Sequence, residues 1–99
     1  MKPARIPPIG AEAEHAAAFK ALGHPGRLQV FFFLVKARRE VSVGEVQSAL
    51  GLPAPTVSHH LDALRRVGLI RSRREERHIF SSVAPEKVTS LVRLLTACC

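Results

Sequence analysis

The stretch Ser42-Val-Gly-Glu-Val-Gln-Ser-Ala-Leu-Gly-Leu-Pro-Ala-Pro-Thr-Val-Ser-His-His-Leu-Asp-Ala-Leu-Arg-Arg-Val-Gly68 reads as two helices and the turn between them. Ser42 is placed to cap the first helix, and Glu45, three residues on, is its capping-box partner. Val43, Val46 and Leu50 line that helix's inner face. Gly51-Leu52 forms the tight turn, and a second helix follows over residues 54–67. Pro55 falls in its first turn, where a missing N–H is tolerated. Val57, Leu61 and Leu64 make its apolar stripe, and Gly68 ends it. With that stripe turned inward, the outward face carries Pro55, Thr56, His59, Ala63 and Arg66, with Ser58 on one flank.

Downstream, residues 69–74 and 77–83 are short extended segments around Glu75-Glu76 and read as a β-hairpin. Pro85 then opens a last helix, whose Val88, Leu91, Val92 and Leu95 follow the i, i+3, i+4, i+7 rule. Upstream, residues 1–10 are Pro-rich and read as a flexible N-terminal arm. An Ala-rich helix over Glu12–Leu22 stops at Gly23. Pro25 suits the first turn of a second helix running to about residues 36–39. There Leu28, Phe31, Phe32 and Val35 fit one face, while Val30, Phe33 and Leu34 cover the remaining sides. A helix apolar nearly all round is buried on several sides, either at the centre of the domain or against a partner subunit as well.

The resulting order, ααααββα, is mainly α (α+β): five helices with a two-stranded hairpin. Two short helices joined by a Gly turn and followed by a basic hairpin are the winged helix-turn-helix plan. It assigns residues 11–99 to one domain, with 43–67 the helix-turn-helix, 69–83 the wing and 85–97 a dimerisation helix.

Charge points the same way. Fifteen Lys and Arg against eight Asp and Glu give a formal net charge of +7, an excess that on a small domain favours a polyanionic partner. Arg65, Arg66, Arg71, Arg73, Arg74 and Arg77 crowd the end of the second motif helix and the hairpin. A 99-residue chain buries roughly 60–70% of its unfolded surface, so pairing with a second copy is a natural way to enlarge the core. The longest aliphatic and aromatic run, residues 30–35, is far short of the ~20 residues a membrane span needs. A signal-peptide pattern is lacking, so a cytoplasmic protein with reduced thiols is expected. The glycines form no phosphate loop, and no acid–base pair or Ser/His/Asp set is motivated by spacing, which argues against an enzyme.

In such motifs the second helix enters the major groove of double-stranded DNA. Thr56, Ser58 and His59 lie near its N-terminus, the end that reaches base edges or phosphates, and Arg66 lies on the same face. Arg73, Arg74 and Arg77 of the hairpin are placed to grip the adjacent backbone. His60, on the flank of the buried stripe, reads as packed, with DNA contact the alternative. His15, His24 and His78 are separated singles without metal-ligand spacing and read as structural or surface residues.

Val43-Gly-Glu-Val46, Leu50-Gly-Leu-Pro-Ala-Pro-Thr-Val-Ser-His-His-Leu61 and Leu64-Arg-Arg-Val-Gly-Leu69 resemble the ArsR/SmtB family of metal-responsive repressors. Ala21-Leu-Gly-His-Pro-Gly-Arg-Leu28 is similar to that family's second-helix entry, and Arg71-Ser-Arg-Arg-Glu-Glu-Arg-His78 to its wing. Together these cover residues 16–83. The resemblance implies a homodimer built from the first and last helices and bound to an inverted repeat. Three positions depart from it: Pro53 replaces a Ser cap, Ala54 a frequent DNA-contacting Gln, and Glu76 a wing-tip Gly.

Family members differ mainly in their ligand residues. Here Val41-Ser-Val-Gly-Glu-Val46 has no thiol, and residues 86–97 lack the His and Asp of a zinc site. The only cysteines are Cys98 and Cys99. Adjacent thiolates select soft species and chelate one centre only off a helix, where neighbours point about 100° apart. The ending is similar to that of arsenite-responsive members. That similarity implies trivalent arsenic or antimony, inorganic or monoorganic, as inducer, with no other cofactor required. Inorganic As(III) favours three thiolates, whereas a monoorganic arsenical needs the two present. Thiol-redox sensing and ligand-independent DNA binding stand as the alternatives.

Overall fold

The computed structural model describes residues 12–97. The expected arm and the Cys98–Cys99 pair lie outside them. Five helices and three strands run in the order α1 (Glu12–Leu22), α2 (Pro25–Ala37), β1 (Val41–Ser42), α3 (Val43–Leu50), α4 (Ala54–Arg66), β2 (Ile70–Glu75), β3 (His78–Val83) and α5 (Pro85–Thr96). This is the expected winged helix-turn-helix with one addition. Strand β1, two residues long, pairs antiparallel with β3 (Val41 opposite Ser81, Ser42 opposite Phe80) and makes a three-stranded sheet of order β1-β3-β2.

Local chemistry sets the boundaries. Ser42 and Glu45 form both halves of the capping box: Glu45 N–H donates to Ser42 Oγ and Ser42 N–H to the Glu45 carboxylate, each at 3.2 Å. α3 ends at Gly51, whose φ of 66° is the left-handed value that favours glycine. α4 starts without a side-chain cap, because Pro53 occupies the N-cap. α2 starts at Pro25, and His24 serves as its N-cap, Nδ1 accepting from Arg27 N–H at 3.4 Å. His24 therefore has a definite structural role.

The core joins α2, α3, α4 and the base of the sheet through Val30, Phe31, Leu34, Val41, Val46, Val57, Leu61, Leu64, Leu69 and Ile70, with Ala18 and Leu91 from the flanking helices. Fully burying each larger side chain contributes about 1.5–3 kcal/mol. The α4 stripe is buried as read from its spacing. In α2 the face differs: Val30, Phe31 and Leu34 point inward, while Leu28, Phe32 and Val35 are exposed. A helix apolar all round contains several faces of helical spacing, and tertiary neighbours choose among them. In α5, Leu91 is buried and Val88 half-buried, whereas Val92 and Leu95 are exposed.

Candidate nucleic-acid interface

Burial of Val57, Leu61 and Leu64 fixes the rotation of α4 about its axis. Ser58 and His59 are consequently exposed near its N-terminal end, Thr56 is half-buried beside them, and Arg66 is exposed in the last turn. Asp62, on the same helix, holds both Arg65 and Arg66 as i,i+3 and i,i+4 ion pairs. Ser58, His59, Asp62 and Arg65 face Val43, Ser72 and Ile79 across an open cleft between α4 and the sheet.

The wing alternates, as strands must. Ser72 opposes Ser81, and their hydroxyls are 2.9 Å apart; Arg74 opposes Ile79; Ser72 and Ile79 both line the cleft beside α4. Arg71, Arg73 and Glu75 belong to the other face. Arg71 pairs with Glu86 of α5. Arg73 donates through Nε to both Glu40 carboxylate oxygens at 2.9 and 2.7 Å and through Nη1 to Glu75 at 2.6 Å. Its guanidinium carbon lies 4.9 Å from the centre of the Phe80 ring. Those carboxylates, Glu40 first, hold the Arg73 guanidinium well above its ordinary range. Arg74 and Arg77 are exposed, and their side chains form no hydrogen bond or ion pair among the described residues. The three wing arginines singled out in sequence thus fall into two kinds, one charge-paired and two open.

At the tip, Glu76 has φ 56° in the two-residue link between Glu75 and its partner His78. A glycine adopts that backbone without steric penalty.

His60 is buried, its ring 4.9 Å from His24 and 5.9 Å from His59. It packs against the start of α2 so closely that a Cβ on Gly26 would stand 3.1 Å from Nε2. Its Nδ1 has no partner among the described residues. Burial first, then the charges of His24, Arg27 and His59, push the imidazole below its ordinary pKa. The packed reading of His60 holds. His15 is also buried and shares a 2.8 Å hydrogen bond with Ser90 of α5.

Sequence reasoning missed Glu40 and Asp62 as organisers of this surface. Asp62 was findable from its spacing to Arg65 and Arg66. Glu40 was not, because its partner lies 33 positions away. Among the described residues no group of three or more His, Cys, Asp or Glu could hold a metal ion, and no helix is long and apolar enough to cross a membrane.

The arrangement presents hydroxyls and an imidazole at the start of an exposed helix beside a cationic hairpin, the pairing that reads base edges and grips phosphate. The helix-turn-helix domain family matches residues 22–73. The chain is 39% identical over 84 residues to the biofilm growth-associated repressor of Agrobacterium fabrum, covering 85% of this chain and 70% of that one. It is 35% identical over 83 residues to the transcriptional activator HlyU of Vibrio cholerae, covering 84% and 75%. Among solved structures, the homodimeric winged helix-turn-helix DNA-binding domain of Mb0332 from Mycobacterium bovis, a possible ArsR-family regulator, superposes with a TM-score of 0.70 at 31% identity. That match covers 96% of this chain and 88% of that one.

Proposed function

The chain belongs to the ArsR/SmtB superfamily of winged helix-turn-helix DNA-binding transcriptional regulators, a family of regulators and not of enzymes, and from that premise we propose that it is a homodimeric repressor of its operator. The observation that carries this reading is the exposed start of α4 beside the open arginines of the wing. Thr56, Ser58 and His59 read the major groove, and Arg66, Arg74 and Arg77 contact phosphate, with Arg66 exchanging Asp62 for the backbone. Arg73 lies on the opposite face of the wing and is already paired with Glu40 and Glu75. Relatives of this chain include both a repressor and an activator. Repression is the simpler act for this domain, since a dimer seated on a promoter blocks polymerase without any recruiting surface.

Dimerisation is supported by Val92 and Leu95, exposed along α5, and by the homodimeric assembly of the M. bovis domain. Two recognition helices at about 34–36 Å fit successive major-groove faces of an inverted repeat.

For the inducer, Cys98 and Cys99 are the sequence's only thiols, and they follow directly on the dimerisation helix. Trivalent arsenic or antimony bound there reshapes the end of α5 and changes the spacing of the recognition helices. A coupling of about 1–3 kcal/mol weakens DNA binding roughly 5–150-fold. The test is binding to the promoter duplex at fixed salt under reducing conditions, with and without arsenite or phenylarsenite. Release of the wild type but not of Cys98→Ser/Cys99→Ser supports the reading. Release by oxidant alone replaces it with redox sensing, and release by none of these leaves a ligand-independent regulator.

A further inference from the structure

Arg73 faces away from the recognition cleft. Alternation along β2 puts Ser72 and Arg74 on the α4 side, and the cross-strand partners agree: Ile79, opposite Arg74, lines the cleft, whereas Phe80, opposite Arg73, lies under its guanidinium. On that far face the guanidinium is engaged by Glu40, Glu75 and the ring together. Glu40 ends the connection from α2 to β1. Its neighbour Arg39 donates to the Glu40 carbonyl at 3.0 Å and to Glu45, the α3 capping residue, at 2.7 Å. A line of charge therefore runs from the capped start of α3, through the connection, to the middle of the wing.

We infer that Glu40 is a positioning residue for DNA binding: it clamps Arg73 against Phe80 as a strut that sets the wing's angle to the helix-turn-helix, leaving the wing's phosphate contacts to Arg74 and Arg77. The inference rests on the DNA-binding reading above. Three features support a strut over a held-back phosphate contact. The guanidinium serves two carboxylates at once, Nε–H shared between both Glu40 oxygens and Nη1 on Glu75, and its planar, fixed donor directions suit that pair better than a compact ammonium. The ring face adds a cation–π contact. The strand side is opposite the cleft. Arg74, one residue on, has the reverse of each.

The test compares salt dependence, because each lost phosphate contact lowers the slope of log K against log salt by about 0.9. Full-length wild type, Arg74→Gln, Arg73→Gln, Arg73→Lys and Glu40→Gln are titrated on the promoter duplex across a salt series. Arg74→Gln is expected to lower the slope by about 0.9 for each bound subunit. Glu40→Gln and Arg73→Gln are expected to weaken binding by up to about fivefold, the range for an exposed ion pair, with the slope unchanged. Glu40→Gln/Arg73→Gln should be no weaker than Arg73→Gln alone, and Arg73→Lys should not restore affinity. Tighter binding and a steeper slope in Glu40→Gln would overturn the inference, as would a slope loss in Arg73→Gln or rescue by Lys. A second arm needs no DNA: the Arg73 Nε–H signal in NMR spectra should exchange slowly with water in wild type and fast in Glu40→Gln. Equal exchange in both overturns the strut. Failure of the wild type to bind any promoter duplex counts against the regulator reading alone.

Discussion

Helices α4 and α5 carry nearly the same apolar spacing, yet the fold treats them differently. In α4 the stripe Val57, Leu61, Leu64 is wholly buried, so one chain is enough to satisfy it. In α5 the stripe Val88, Leu91, Val92, Leu95 is split: Leu91 is 5% exposed, Val92 52% and Leu95 60%. The first pattern fixes a helix within a subunit and aims its polar face outward. The second is half-used, and its remainder offers a second copy a place to pack. Similar periodicity is thus used up by folding in one helix and left partly exposed in the other, where the proposed dimer would pack, and burial tells the two apart.

The largest effect is expected from a charge on the exposed half. Val92→Glu is expected to leave the chain folded but monomeric by sedimentation. Its DNA affinity should fall about 10²–10⁴-fold as bivalent attachment is lost. An unchanged dimer would show that α5 does not carry the interface. The matching change in α4, Leu64→Ala, should act on folding itself. Leu64 is fully buried, so chemical denaturation should show a loss of about 2–5 kcal/mol.

How far each pattern was legible follows from its range. The capping box and the α4 stripe depend on residues three or four apart, and both were readable. The inward face of α2 was not, because an all-apolar helix gives periodicity nothing to choose between: Phe31 and Phe32 fit the same regular face, yet only Phe31 is buried. Strand β1 was missed because two residues carry no alternation and exist as a strand only through their pairing with β3. On α4, Ser58, His59 and Arg66 are exposed where the wheel puts them, and Thr56 is half-buried. Arg73 was grouped with Arg74 and Arg77 by charge alone, since the carboxylate that separates it, Glu40, is distant in sequence.

A subtler probe of the α4 side is pH. His60 is held below its ordinary value near 6.5, so the folded imidazole stays neutral where the unfolded one takes up a proton. Its contribution is fully present above about pH 6.5 and is lost as pH falls from there towards the lower folded value. Midpoints of urea unfolding should drop over that window in wild type and drop less in His60→Gln. Parallel curves would remove His60 as the cause. The smallest effect is at the wing tip, where Glu76→Gly relieves a left-handed backbone and should stabilise by about 1 kcal/mol, read as a small rise in Tm. No rise would mean that the turn accommodates Glu without strain.

The central claim, that two α4 helices of a dimer read an inverted repeat, is tested most directly by footprinting the wild-type protein on its own promoter at fixed salt. Two half-sites centred about 10–10.5 base pairs apart or a multiple of that should be protected, with two subunits bound and affinity lost on a scrambled duplex. Protection of a single half-site by one subunit, or equal affinity for the scrambled duplex, would contradict it.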